Sequence, residues 1–64
     1  MASWQEQPRK GDSLWHEHKN GMITGIDYVG RIVYVSFHDK GLGEFDYDEL
    51  IGCFDEALNQ WVVV

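Results

Sequence analysis

Four side chains of this chain are suited to metal or nucleophilic chemistry: His16, His18, His38 and Cys53. His16 and His18 are two residues apart, so on a strand both rings face one side, where a metal site is geometrically conceivable. The chain has no Cys-x-x-Cys and no repeated ligand pair, so the histidines read as surface residues. Cys53 with a histidine could be a nucleophile. No phosphate-binding glycine run, oxyanion loop or carboxylate pair in a cleft accompanies it, and it reads as a small buried hydrophobe. No catalysis, no metal and no cofactor are expected.

What remains is the chemistry of contact. Trp15, Tyr34 and Phe37 are candidates for an aromatic anchor, because Trp and Tyr are enriched at binding hot spots. Core packing is the competing reading, since aromatics supply much of the area a small core buries. Glu44, Asp46 and Asp48 would form an acidic rim around that anchor. They belong to a longer series with Asp39, Glu49, Asp55 and Glu56, which reads either as a solvated face or as an electronegative patch for a basic partner.

Composition sets limits on both readings. Sixty-four residues make one domain with a core one layer thick. A hydrophobic fraction of 44%, with three each of Trp, Tyr and Phe, is enough for a fold and argues against disorder. Eleven acidic residues against five basic ones give a net charge of −6. That balance disfavours nucleic acid, whose affinity comes mainly from cations on phosphates. Nucleic-acid binding would need Arg9, Lys10, Lys19, Arg31 and Lys40 to gather on one face. A single cysteine excludes an intrachain disulfide. No signal peptide and no apolar run near membrane-spanning length is present, so a reducing cytoplasm is the expected compartment and no membrane partner is expected.

The elements that must position these residues read as strands. Ile32 to Phe37 (IVYVSF) is β-branched and aromatic, with Val33, Val35 and Phe37 on one face and Ile32, Tyr34 and Ser36 on the other. A second strand runs from about Met22 to Tyr28, joined to the third by a turn at Val29-Gly30-Arg31. Ser13 to Glu17 reads as the first strand, followed by a turn at Lys19-Asn20-Gly21. Leu42 to Tyr47 is the fourth, with Phe45 inward. Asp48 to Gly52 suits one 3₁₀ turn, with Leu50 plugging the end of the fold. Asp55 to Leu58 is either a helical turn capped by Asp55 or a hairpin tip. Trp61 to Val64 is the fifth strand by propensity and closes a small all-β barrel. Residues 1–10 read as an N-terminal arm, whose Trp4 could dock on the barrel of residues 11–64. An edge strand at Trp61 to Val64 would invite pairing, so monomer and weak homodimer both stand.

Several segments resemble one group of domains. Gly11-Asp12 precedes the first strand. Gly21-Met22-Ile23-Thr24-Gly25-Ile26-Asp27 looks like a KOW or Tudor second strand. Val33 to Phe37 is similar to the third, and Gly41 to Leu50 (GLGEFDYDEL) to the Tudor ending. Together they cover residues 11–51, about two-thirds of the chain, and resemble the Tudor/KOW group of SH3-like barrels. The layout is also that of the tail barrels of DNA-repair helicases and of small phage or prophage proteins. The resemblance implies a five-stranded SH3-like barrel that binds a protein and does no catalysis, with a phage-type accessory factor as one setting and a nucleic-acid-associated module as the alternative. Tudor domains hold methylated side chains in an aromatic cage, and Trp15 and Phe37 fall where two walls would stand. Asn20 and Lys40 occupy the places of the other aromatics, and a lysine repels a cationic ligand.

Overall fold

The structure, a computed structural model, describes residues 7–38 and 41–64. Its elements in order are β1 (Ser13–His16), β2 (Lys19–Asp27), β3 (Ile32–Phe37), β4 (Gly41–Asp46), α1 (Tyr47–Leu50), β5 (Phe54–Asp55) and β6 (Gln60–Val63). All six strands join one sheet in the order β4-β3-β2-β1-β6-β5. Every contact along it is antiparallel except β1 with β6, which is parallel and sets Leu14 opposite Trp61.

The all-β expectation holds; the five-stranded closed barrel does not. The sheet has six strands, and its edges β4 and β5 do not pair. The extra strand comes from the segment before Gln60, which folds as a hairpin tip and not as a helical turn. Asp55 Oδ1 accepts the Leu58 N–H at 3.1 Å, and Asn59 takes a left-handed φ of 54° before β6 begins. β4 runs straight into α1, a single α-helical turn where a 3₁₀ turn was expected, and no described strand pairs along the free side of β4. α1 contacts both β4 and β6.

Alternation accounts for β3. Val33, Val35 and Phe37 are buried, with Ile32, Tyr34 and Ser36 on the opposite face. The first turn lies elsewhere than expected. Glu17 and His18, with φ of 47° and 65°, form the tight connection, and both left-handed residues suit a two-residue hairpin. Asn20 and Gly21 belong to β2, paired with Trp15 and Leu14. Gly21 is required by close approach: a Cβ there would lie 2.8 Å from Ser36 O and Val35 Cγ1 and 2.9 Å from Phe37 Cδ1. At the second turn the left-handed residue is Arg31, with φ 56°. Asp27 Oδ1 organises this turn by accepting the N–H groups of Val29 and Gly30 at 3.1 and 3.0 Å.

The core draws on every strand except β4, whose Phe45 packs against it half-buried. Leu14, Ile23, Val33, Val35, Leu50 and Trp61 are fully enclosed, with Phe37, Tyr47, Phe54 and Val63 around them. Pro8 is fully buried as well. Pro8 lies within the span 1–10 that was read as an arm; residues 1–6 of that span are outside the described residues. Gly11 N–H donates to Ile23 O and Ile23 N–H donates to Asp12 O, both at 2.8 Å. These bonds tie the segment to β2. The predicted docking of Trp4 falls outside the described residues. Among the described residues no helix is long and apolar enough to cross a membrane.

Candidate functional site

The three aromatic side chains expected to share a groove occupy three different places. Phe37 is a core residue at 8% exposure, its ring centroid 6.1 Å from that of Phe45 and capped by Lys19 Nζ at 5.9 Å. Its alternation with Val33 and Val35 sends it inward, so it cannot wall a groove. Trp15 lies on the outer side of β1, half-buried, with the His18 ring against it edge-on at 5.5 Å. It joins Leu58, Gln60 and Val62 around a shallow cavity of 190 Å³. Tyr34 is on the outer face of β3. Trp15 pairs with Asn20 of β2 and Tyr34 with Gly25, so five residues of β2 separate them, about 16 Å at ~3.3 Å per residue. The proposed Trp15–Tyr34–Phe37 groove does not form.

Register builds a different surface around Tyr34. Residues paired across antiparallel strands share a face. One row of the outer face is therefore Met22–Ser36–Leu42, the next Gly25–Tyr34–Glu44, and the third Asp27–Ile32–Asp46. Met22, Tyr34 and Leu42 are 51%, 37% and 82% exposed, so an apolar strip reaches solvent. The Tyr34 ring lies against the backbone at Gly25, where a Cβ would sit 3.9 Å from Cδ2. The β2 bulge sits here: register passes from Ile23↔Val35 to Gly25↔Tyr34, and the extra residue, Thr24, donates its hydroxyl to Tyr34 O at 3.3 Å.

The acidic rim divides in two. Glu44 and Asp46 stand exposed on this face and form no salt bridge with a described residue. Asp48 does not continue them, because β4 ends at Asp46 and Asp48 lies on α1. Its carboxylate takes a bidentate pair from Arg31, with Nε donating to Oδ2 at 3.1 Å and Nη2 to Oδ1. Hydrogen bonding from Arg31 holds Asp48 below its ordinary value, desolvation opposes this, and Coulomb attraction to Arg31 adds to it. Arg31 is raised in turn, first by the same hydrogen bond. Its guanidinium also lies over the Tyr47 ring at 4.8 Å.

The histidines do not assemble. His16 Nδ1 lies 3.1 Å from Val63 O, and its ring packs edge-on to Phe45 at 5.0 Å. His18 sits in the turn, so the two-residue spacing loses its strand geometry. Cys53 Sγ donates to Glu49 O at 3.2 Å. Among the described residues no three of His, Cys, Asp and Glu come together as a metal site. Two of the cations are apart: Lys19 opens β2, and Arg31 follows its far end and is paired with Asp48. Lys40 and Asp39 are outside the described residues.

Two contributions were missed in the sequence. Leu42 alternates with Glu44 and Asp46, which was signal enough to place it outward beside them. Asp12 was noted only as preceding the first strand, yet its Oδ2 accepts both the Arg9 N–H at 2.9 Å and the indole Nε1–H of buried Trp61 at 3.0 Å. No local pattern announces the second partner, 49 residues away. Comparisons with protein-family models, with curated proteins and with solved structures find no match to this chain.

Proposed function

We propose that this protein is a non-catalytic protein-interaction module, and that the outer face of β2, β3 and β4 receives a partner with a basic surface. The observation that carries the reading is one face holding exposed Met22, Tyr34 and Leu42 beside Glu44 and Asp46, which form no salt bridge with a described residue. Apolar area supplies affinity, and the carboxylates select cationic partners and speed their approach. Trp15 lies on the same outer side one strand over, paired with Asn20 and diagonal to Met22, and Asp48 contributes no open charge to this face. A phage-type setting with a host protein as partner rests on the resemblance of residues 11–51 to the Tudor/KOW group. Nucleic-acid binding gains no support, since Lys19 and Arg31 lie at opposite ends of β2.

The test is site-specific photocross-linking in cell lysate, with the reactive side chain at Leu42 or, as control, at Leu58 in the β5–β6 tip. The expected result is a discrete adduct from Leu42 that disappears in the Glu44→Lys, Asp46→Lys double variant while the far-ultraviolet spectrum is unchanged. Equal adducts from both positions, or adducts indifferent to the charge reversal, overturn the reading.

A further inference from the structure

The two edges of the sheet are finished differently. β5 is two residues long, and a short edge gives a stranger little to pair with. β4 is six residues long and pairs with β3 in unbroken register from Ile32↔Asp46 to Phe37↔Gly41. No described strand lies on its other side, and outside the β3 ladder the one described engagement of this strand's backbone is at Asp46, whose carbonyl as N-cap of α1 accepts the first helical N–H. Natural edges are commonly protected by proline, charged side chains or a bulge. β4 has no proline, no lysine and no bulge, and its two charges, Glu44 and Asp46, are both acidic, so they repel acidic strands and leave basic ones admissible. Every second N–H and C=O of this strand is thus presented outward in strand geometry.

We infer that the outer edge of β4 is a strand-addition site for an extended segment of a partner protein, with basic side chains at alternate positions and an apolar side chain two residues beyond them. The inference rests on the reading of a basic partner given above and names how that partner binds. Glu44 and Asp46 are two apart on one face, about 7 Å along the strand, which is the spacing of a basic-x-basic pair on an added strand. Leu42, two residues further on the same face, faces the apolar position. Main-chain bonds supply affinity in this mode, and alternate side chains supply specificity.

A second copy of the chain fits the edge poorly. A two-fold axis that continues the sheet must pair residues of like face. Centred on Glu44, it sets that carboxylate against its own copy; centred on Phe45, it sets Glu44 against Asp46 of the copy. Like charges directly opposite are destabilising, and each copy carries a net −6. Centred on Gly43, the axis avoids that opposition but leaves Asp46 outside the ladder.

The probe is a capped hexapeptide of sequence leucine-threonine-lysine-threonine-lysine-threonine, titrated into the ¹⁵N-labelled full chain to about 2 mM, the weak end of specific binding. Shifts are expected in the amides of Gly41–Asp46 and their β3 partners, with the β5 amides unmoved. Two further peptides carry N-methyl groups, one on the leucine and lysine amides and the other on the threonine amides. On a strand these two sets point to opposite edges, so one methylated peptide should lose at least about tenfold in affinity and the other should bind like the parent. Glu44→Lys with Asp46→Lys should transfer preference from the lysine peptide to its glutamate counterpart. If both methylated peptides match the parent and Met22 and Tyr34 shift instead, strand addition is overturned while the face reading survives. No shifts at the highest peptide concentration overturns strand addition, and the cross-link at Leu42 then judges the face reading independently. A concentration-dependent dimer by sedimentation, dispersed by the peptide, overturns the assignment of a foreign strand.

Discussion

The ribbon β2–β3–β4 and the seam β1–β6 solve opposite problems. The ribbon pairs neighbours in sequence, so its turns alone bring the strands together, and its outer face stays open to solvent. The seam pairs Leu14 with Trp61 across nearly the whole chain, a closure whose entropic cost local hairpins do not meet. Its central pair, Leu14 and Trp61, is fully enclosed. Trp61 is fully buried, stacks edge-on to Phe54 at 5.1 Å, and donates its indole N–H to Asp12. Both regions bury their inner side chains, but only the long-range seam adds a side-chain hydrogen bond from the N-terminal turn, Trp61 to Asp12, to hold its closure.

The comparison breaks most sharply at Trp61. Trp61→Ala removes the largest core side chain and should cost about 3–5 kcal/mol. A domain of this size has stability of that order, ~0.05–0.15 kcal/mol per residue, so the variant should be largely unfolded by circular dichroism at 25 °C. Retention of a cooperative urea transition near the wild-type midpoint would show that the ribbon stands without the seam.

Asp12 sharpens the same point with less loss of volume. Asp12→Ala leaves a buried indole N–H without its partner and should cost about 1.5–3 kcal/mol, the range for hydrogen bonds to charged groups. Trp61→Phe removes the same bond from the other side, so in a double-mutant cycle by urea denaturation the two losses should fall short of additive. Strict additivity would mean the bond does not couple the N-terminal turn to β6.

On the ribbon, Tyr34→Ala and Leu42→Ser should each change stability by no more than about 0.5 kcal/mol, because the side chains are exposed and leave no cavity. The cross-linking partner should nevertheless be lost. A large destabilisation would make this face structural.

The smallest effect belongs to Arg31 and Asp48, both exposed. Asp48 is depressed below its ordinary 3.8 in the folded chain. Its contribution is therefore present above that value and is lost as pH falls through the lower folded one. Asp48→Asn should lower the melting temperature slightly at neutral pH, and the gap to wild type should close below about pH 3.8. A gap independent of pH would assign the effect to something other than the ion pair.

Much of the ribbon was legible before the structure. Val33, Val35 and Phe37 alternate with Ile32, Tyr34 and Ser36, and this period of two is a local property that survives folding. The candidate site was legible only in part. Tyr34, Glu44 and Asp46 fall on one face, as alternation required. Phe37 was miscounted as a surface aromatic although the same alternation sent it inward. Asn20-Gly21 resembled a turn, but Gly21 serves the close approach of β3, and the turn formed three residues earlier at Glu17-His18.

By itself the order of residues determined that this chain is a sheet with an apolar inner side, an acidic surplus and room for one small core. Side-chain period, composition and turn chemistry are all local, and each acts before any distant contact exists. The tertiary structure decided how many strands there are, which strands form the edges, and that Asp48 is taken up by Arg31. Those outcomes depend on contacts between residues far apart in the chain: Leu14 with Trp61, Asp12 with the Trp61 indole, and Arg31 with Asp48. A distant pair leaves no periodic trace in sequence, because its register is set by packing geometry and not by the neighbours of either residue.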